Sequence, residues 1–428
     1  MKGRLYKIAV LLVLAAVLSG TGGLFFAGGL STVMISCAAE HGGGSPAPSR
    51  GAAERGGGPP ADSGETVDEA ETKEVSMDLE QYDLTEIQDY INSQGTSGWN
   101  LSFKQMMKDI MAGRLGDVMG QIGEGLRDAL FSEVRNNGHM MGQIIILGII
   151  GAVFANFSNV FTGSQISETG FFVTYLLLFT YLAASFFTSI TIAGNVVNQI
   201  LGFMKALMPA YFLAAAFAGG SVSAVASYEF TLFAITVAQT ITASVLLPMV
   251  KVYALLVMAG HIAKEDILSK LTELLSDVIT WSLKTMVGIV LGFHLIQGLV
   301  LPYVDSMKTG AIQKLIGIIP GVGQGASAVT QMVIGSGVLV KNTMGAAGVV
   351  ILVIITLIPM MKLVILMLLY QCVAAVLQPV CDKRIVSCIS DMAKGHRILL
   401  SIAASAIVLF VVTIAVVCAS TNVTYYAG

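Results

Sequence analysis

The chain has 428 residues, 55% of them hydrophobic and 12% charged, with a mean hydropathy of +0.77 and a formal net charge of -3. A soluble domain carries about 25% charged residues, so a water-soluble core of this size is excluded for want of polar surface. No basic stripe points to nucleic acid, and Cys37, Cys372, Cys381, Cys388 and Cys418 form no CxxC pair, so neither a disulfide framework nor a zinc site is indicated.

The amino terminus, MKGRLYKIAVLLVLAAVLSG, sets Lys2, Arg4 and Lys7 before an apolar run, the form of an export signal. Residues 1–39 are read as a signal peptide, with small residues near Ala39 for cleavage, or as a signal anchor. Residues 40–95 are acidic and rich in Gly and Pro, too poor in apolar surface to fold, and are read as a disordered linker outside the cytoplasm. From 96 to 140 the pattern changes. Leu101, Met107, Ile110, Leu115, Val118, Ile122, Leu126 and Leu130 recur at helical spacing among charges, which predicts extracytoplasmic amphipathic helices. Their apolar face needs either this chain's own membrane domain or a partner subunit. A first span and its loop follow over 141–170.

Between Gln143 and Gly260 the only charges are Glu168, Lys205, Glu229 and Lys251, and between Thr285 and Gln378 they are Asp305, Lys308, Lys314, Lys341 and Lys362. Apolar runs of bilayer-crossing length separate them, so the fold class is all-α, a polytopic helical membrane protein. Eight spans are predicted: 142–161, 171–193, 210–227, 230–259, 284–304, 321–339, 344–377 and 399–419. An amphipathic helix over 261–283 is expected to lie on the membrane or against a partner.

Pro209 and Pro320 are 111 residues apart, and so are Pro248 and Pro359, and Lys251 and Lys362. That shared spacing reads as an internal duplication, 171–282 and 283–398, with 399–428 as a terminal helix and tail. Three spans per repeat make the halves inverted in topology, a plan used by permeases. Lys383, Arg384, Lys394 and Arg397 put the loop 378–398 inside by charge bias.

Each LxPMxK motif places a helix breaker and a cation in an apolar run. A proline frees a carbonyl, and a lysine in a bilayer must pair or reach water. The sparse carboxylates Glu229 and Asp305 are the expected partners of Lys251 and Lys362. Two readings stay open: a kinked polar path, or lysines reaching the membrane surface from two shorter segments hinged at the proline. Gly219, Gly220, Gly321, Gly323 and Gly325, with Gly335 and Gly337, suit close helix crossings. His294, in GFHLIQG, is read as a hydrogen-bond donor between helices. No HExxH, GxSxG, phosphate loop or metal-spaced cluster occurs, so no catalysis, cofactor or metal is expected.

The stretches ANFSNVFTGSQISETGFFVTYLLL, GFMKALMPAYFLAAAFAGGSVSA, LPMVKVYALLVMAGHIAKEDILSKLTELL and GFHLIQGLVLPYVDSMKTGAIQKLIGIIPGVGQGASAVTQMVIGSG resemble the stage III sporulation protein AE family of endospore-forming Firmicutes. The likeness runs from about Met106 onward. It implies a multi-pass protein of the mother-cell membrane around the forespore, with the region before the first span facing the intermembrane space. It also implies assembly with the other stage III sporulation A proteins and with stage II sporulation protein Q. The implied role is a subunit of a channel or secretion-like complex that supports late forespore gene expression, its cargo unnamed. A stand-alone transporter with an inverted repeat and a non-conducting scaffold are the alternatives. Membrane lipid is the other partner expected.

Overall fold

The computed structural model describes residues 82–94, 102–112, 115–157, 164–218, 221–262, 268–317 and 323–426. The signal segment, the linker up to residue 81, and Gly219, Gly220, Pro320 and Gly321 lie outside them. Two short helices come first, α1 (Thr85–Ser93) and α2 (Phe103–Met111). Then come α3 (Leu115–Phe157), α4 (Ser164–Phe217), α5 (Ser221–Ile241), a π-helical turn Thr242–Leu246, α6 (Leu247–Gly260), α7 (Ser269–Gly317), α8 (Gly323–Leu377) and α9 (Lys383–Tyr426). No strand occurs among the described residues. Six helical stretches there are long and apolar enough to cross a membrane: Phe131–Phe154, Thr169–Phe217, Ala224–Gly260, Ser269–Gln297, Met332–Leu377 and Lys383–Cys418.

Six long stretches stand where eight spans were expected, because the helices run through the predicted breaks. α4 continues for 54 residues past Asn195, Asn198 and Lys205 to Phe217, and α8 continues for 55 residues through Lys341. At 1.5 Å per residue each is about 80 Å long, against about 30 Å for a bilayer core. The amphipathic stretch after residue 268 is likewise no separate surface helix but the opening of the 49-residue α7.

Neither LxPMxK run turns at its proline. In the first, the π turn Thr242–Leu246 widens the helix just before Pro248, which then falls in the opening turn of α6, where a missing N–H costs little. In the second, Pro359 sits inside the continuous helix α8.

The core lies where α4, α8 and α9 pack together, with α3 against α4 and α8 on one side and α7 against α9, α5 and α6 on the other. α4 and α8 run antiparallel, as Phe217 lies by Gly337 and Leu207 by Gly348. A Cβ at Gly337 would stand 2.8 Å from the backbone of Phe217 and Ala218, so the two main chains approach as closely as glycine allows.

The amphipathic helices α1 and α2 bury Ile87, Ile91, Phe103, Met106 and Met107 in this same core. The Tyr90 hydroxyl donates to the Gln199 carbonyl of α4 at 2.8 Å, and its ring packs near Phe203 at 6.2 Å. The Phe103 N–H donates to the Gln88 side chain at 3.0 Å and ties α2 to α1. α1 falls within 40–95, read from the sequence as a disordered linker, and is ordered because Ile87 and Ile91 give it an apolar edge to bury. Of the predicted amphipathic stretch 96–140, α2 buries Met107 against the chain's own helices.

Candidate functional site

The residues singled out in the sequence do not converge. Pro209, Glu229, Pro248 and Lys251 are exposed, Pro359 is half-buried, and His294 is buried. Gly323 and Gly325 lie in the first turn of α8. Lys362 pairs with a carboxylate that the sequence did not single out. Its Nζ lies 3.5 Å from Oε2 of Glu133 on α3, with the lysine side chain 41% exposed and the carboxylate 14%. Glu133 also accepts from the Asn137 amide at 2.8 Å, one turn on. Glu133 escaped notice because it sits in SEVRNNGH, which reads as the tail of an external amphipathic helix rather than the start of a span.

Three histidines share one construction. His294 Nδ1 lies 2.9 Å from the Val290 carbonyl, His396 Nδ1 2.9 Å from that of Met392, and His261 Nδ1 2.7 Å from that of Val257. A carbonyl only accepts, so each Nδ1 carries its proton into the preceding turn, and Nε2 faces the neighbouring helix. For His294 the neighbour is the Thr413 hydroxyl at 3.2 Å, and for His396 the Ser189 hydroxyl at 2.9 Å. A neutral ring can only accept there, and it shares each hydroxyl proton with a carbonyl, Leu409 at 2.8 Å for Thr413 and Ser185 at 3.1 Å for Ser189, so His294 donates within its own helix rather than between helices. For His261 the neighbour is the Asp391 carboxylate at 3.4 Å, to which Nε2 donates only as an imidazolium.

His261 and Asp391 stand at the wall of a cavity of about 620 Å³, where the end of α6, the start of α7, the end of α8 and the start of α9 meet. Its polar lining includes Thr272, Gln378, Ser390 and Lys394, and Lys394 pairs with Asp391 at 2.7 Å. Beside it, the Arg384 guanidinium reaches the Ile262 carbonyl at 3.4 Å and lies 3.8 Å from the centre of the Phe171 ring. Asp382 accepts from the Arg384 N–H at 2.8 Å and so caps α9. Burial, and after it the Asp382 charge, push the Cys381 thiol above its ordinary range, which favours the protonated form. Chemically this is a hydrogen-bonding vestibule with its charges largely compensated.

A second buried polar set closes the far end of the bundle. Lys341 of α8 is fully buried and donates to the Cys418 carbonyl of α9 at 3.2 Å, while the Tyr211 hydroxyl of α4 donates to the Ile414 carbonyl at 3.2 Å. A lysine inside a run as apolar as GVLVKNTMG was the one local signal for it.

The sequence model of the family described as Stage III sporulation protein AE matches residues 101–421. The chain belongs to that family. The Stage III sporulation protein AE of Bacillus subtilis (strain 168) is 26% identical over 296 residues, covering 69% of this chain and 74% of that relative. No solved structure matches. The matched region takes in α3 to α9 almost whole, so the bundle, the vestibule and the Lys362–Glu133 pair all fall within what the family shares in length. The chain is thus a multi-pass helical membrane protein of a sporulation family.

Proposed function

We propose that the chain is a membrane subunit of a complex joining mother cell and forespore, and that it forms part of a polar passage rather than catalysing a reaction. The observation that carries this reading is the vestibule at His261 and Asp391. Four helix ends enclose ionisable and hydrogen-bonding groups around an open volume there, whereas the buried polar groups elsewhere, such as Lys341 and His396, are packed against neighbouring helices. In the proposed assembly the chain sits in the mother-cell membrane around the forespore, its partners are the other stage III sporulation A proteins and stage II sporulation protein Q, and the readout is late forespore gene expression. No phosphate loop occurs in the sequence, so any nucleotide energy comes from a partner.

A scaffold role is the second reading. It is favoured by one observation: Lys251 and Lys362 do not line a common path, the first being exposed and the second ion-paired to Glu133.

The test is sporulation efficiency, with assembly followed by co-purification of the partners, for Asp391→Asn and Lys394→Met. Intact assembly with lost late forespore expression is the expected result. Normal expression in both strains removes the passage reading and leaves the scaffold.

A further inference from the structure

The bundle presents two unlike flanks at one height. Height is set by cross-helix contacts. Glu133 of α3 meets Lys362 of α8, Gly148 of α3 lies against Leu377, and Gly151 lies against Ile385 of α9 and Thr174 of α4. His396 of α9 is level with Ser189 of α4 and Tyr370 of α8. Residues 383–397 of α9 therefore stand level with about 140–153 of α3.

On the α3–α4 flank this height is apolar and open, with Ile146, Ile150, Phe172 and Leu177 each 41% to 59% exposed. On the opposite flank, α9 turns a polar stripe outward at the same height. Lys383, Ser387, Ser390, Lys394, Arg397 and Ser401 recur every three or four residues, and every one is exposed or half-buried. α7 stands beside it, because its first turn bounds the same vestibule, and it is two-faced: Lys270, Glu273, Asp277 and Lys284 are exposed along one edge, while Leu271, Leu274, Val278 and Trp281, 39% to 68% exposed, form the adjoining apolar edge that suits lipid. From residue 383 to 401 the stripe climbs about 27 Å, nearly the thickness of a hydrocarbon core.

One flat bilayer around a lone chain satisfies only one of these flanks. Set at this height, it buries the stripe in lipid. Moved away, it strands in water the one apolar run of α3, Phe131–Phe154, together with the open face of α4. The apolar flank decides the height, since α3 crosses nowhere else. Ionisable side chains at that depth face water or a protein interior, not lipid.

We infer that the α7–α9 flank is the wall of a water-filled cleft at bilayer depth, open to small hydrated solutes, with the His261–Asp391 vestibule as its recess. The cleft gives the proposed passage its wall and rests on that reading for its use, though not for its water.

The test is thiol accessibility in the full chain in membrane vesicles. Cys37, Cys372 and Cys381 are replaced by serine, and the buried Cys388 and Cys418 are kept. Ser387→Cys, Ser390→Cys and Ser401→Cys are then compared with Ile146→Cys and Leu177→Cys, using the membrane-impermeant sulfonatoethyl methanethiosulfonate. The serine positions are expected to react at least tenfold faster, Ser401→Cys included. Reaction at 387 that fades before 401, or equal reaction on both flanks, overturns the inference. Serine and cysteine are close in size, so these half-buried positions tolerate the change, and gel filtration of each variant checks the fold. A wet stripe in strains that sporulate normally after Asp391→Asn and Lys394→Met counts against the passage and leaves the cleft standing.

Discussion

The two LxPMxK runs share a motif and differ in what the structure does with it. On α6 the proline is relieved by a π turn and opens a helix, and Lys251 is exposed. On α8 the proline is carried inside an unbroken helix, and Lys362 holds Glu133 of α3. A repeated motif therefore marks a repeated local problem, a proline and a cation in an apolar helix, and not a repeated solution. The solution depends on which neighbour each run meets, and only the second run meets α3.

The largest expected effect separates the two lysines. Lys362→Met leaves the Glu133 carboxylate 14% exposed without its cation. The expected loss is about 1–2 kcal/mol, less than for a fully buried pair because the lysine is partly solvated. Thermal unfolding in detergent measures it, and adding Glu133→Gln should recover more than half. Equal stability of the single and double variants would dissolve the contrast between the runs.

The prolines come next. Pro359→Ala restores a hydrogen bond within α8 and should stabilise the chain by about 1 kcal/mol, while Pro248→Ala, in the opening turn of α6, should change it by less than about 0.5 kcal/mol. Equal shifts would mean that the π turn relieves nothing.

Tyr90 sharpens the comparison from a helix that is too short to cross, since α1 packs on α4 and α2 on α8. Removing its hydroxyl, Tyr90→Phe, should cost about 1 kcal/mol and free α1 to protease. Burial pushes the Tyr90 phenol up to about 12. Because the folded value is the raised one, α1 docking is full below the ordinary phenol range near 10. It should be lost as pH climbs through the folded value, and amide exchange in 85–93 reads that loss. Lys251→Met is the smallest change, within about 0.5 kcal/mol in the same unfolding assay.

The all-α membrane class was legible from hydropathy alone, as the six long apolar stretches show. The span boundaries were not. The polar dip at Asn195, Asn198 and Lys205 reads as a loop, yet α4 carries it as one helix, with Lys205 donating to Gln239 at 3.0 Å from an exposed face. Hydropathy averages a window and cannot tell a break from a helix that shows its polar side to something. The partner of Lys362 was out of reach for a different reason. Glu133 is more than two hundred residues away, and its own neighbours disguise it as surface. The vestibule was equally hidden, since it is made of helix ends that meet only in space. Asp391 was visible as one of two acids, with Asp382, beside Lys383, Arg384, Lys394 and Arg397, but nothing local pairs it with His261.

The antiparallel helices α4 and α8 are unbroken for 54 and 55 residues. Rods of that length act as levers. Pivoting one by 5° about its end swings the other end by about 7 Å, taking 1.5 Å of rise per residue. The seat of α1 lies on α4, at Gln199 and Phe203, α2 packs on α8, and α8 ends beside the vestibule at Gln378. A push of a few degrees delivered to α8 through α2 would thus reach the vestibule as a displacement of about 1–3 Å, carried by an unbroken helix.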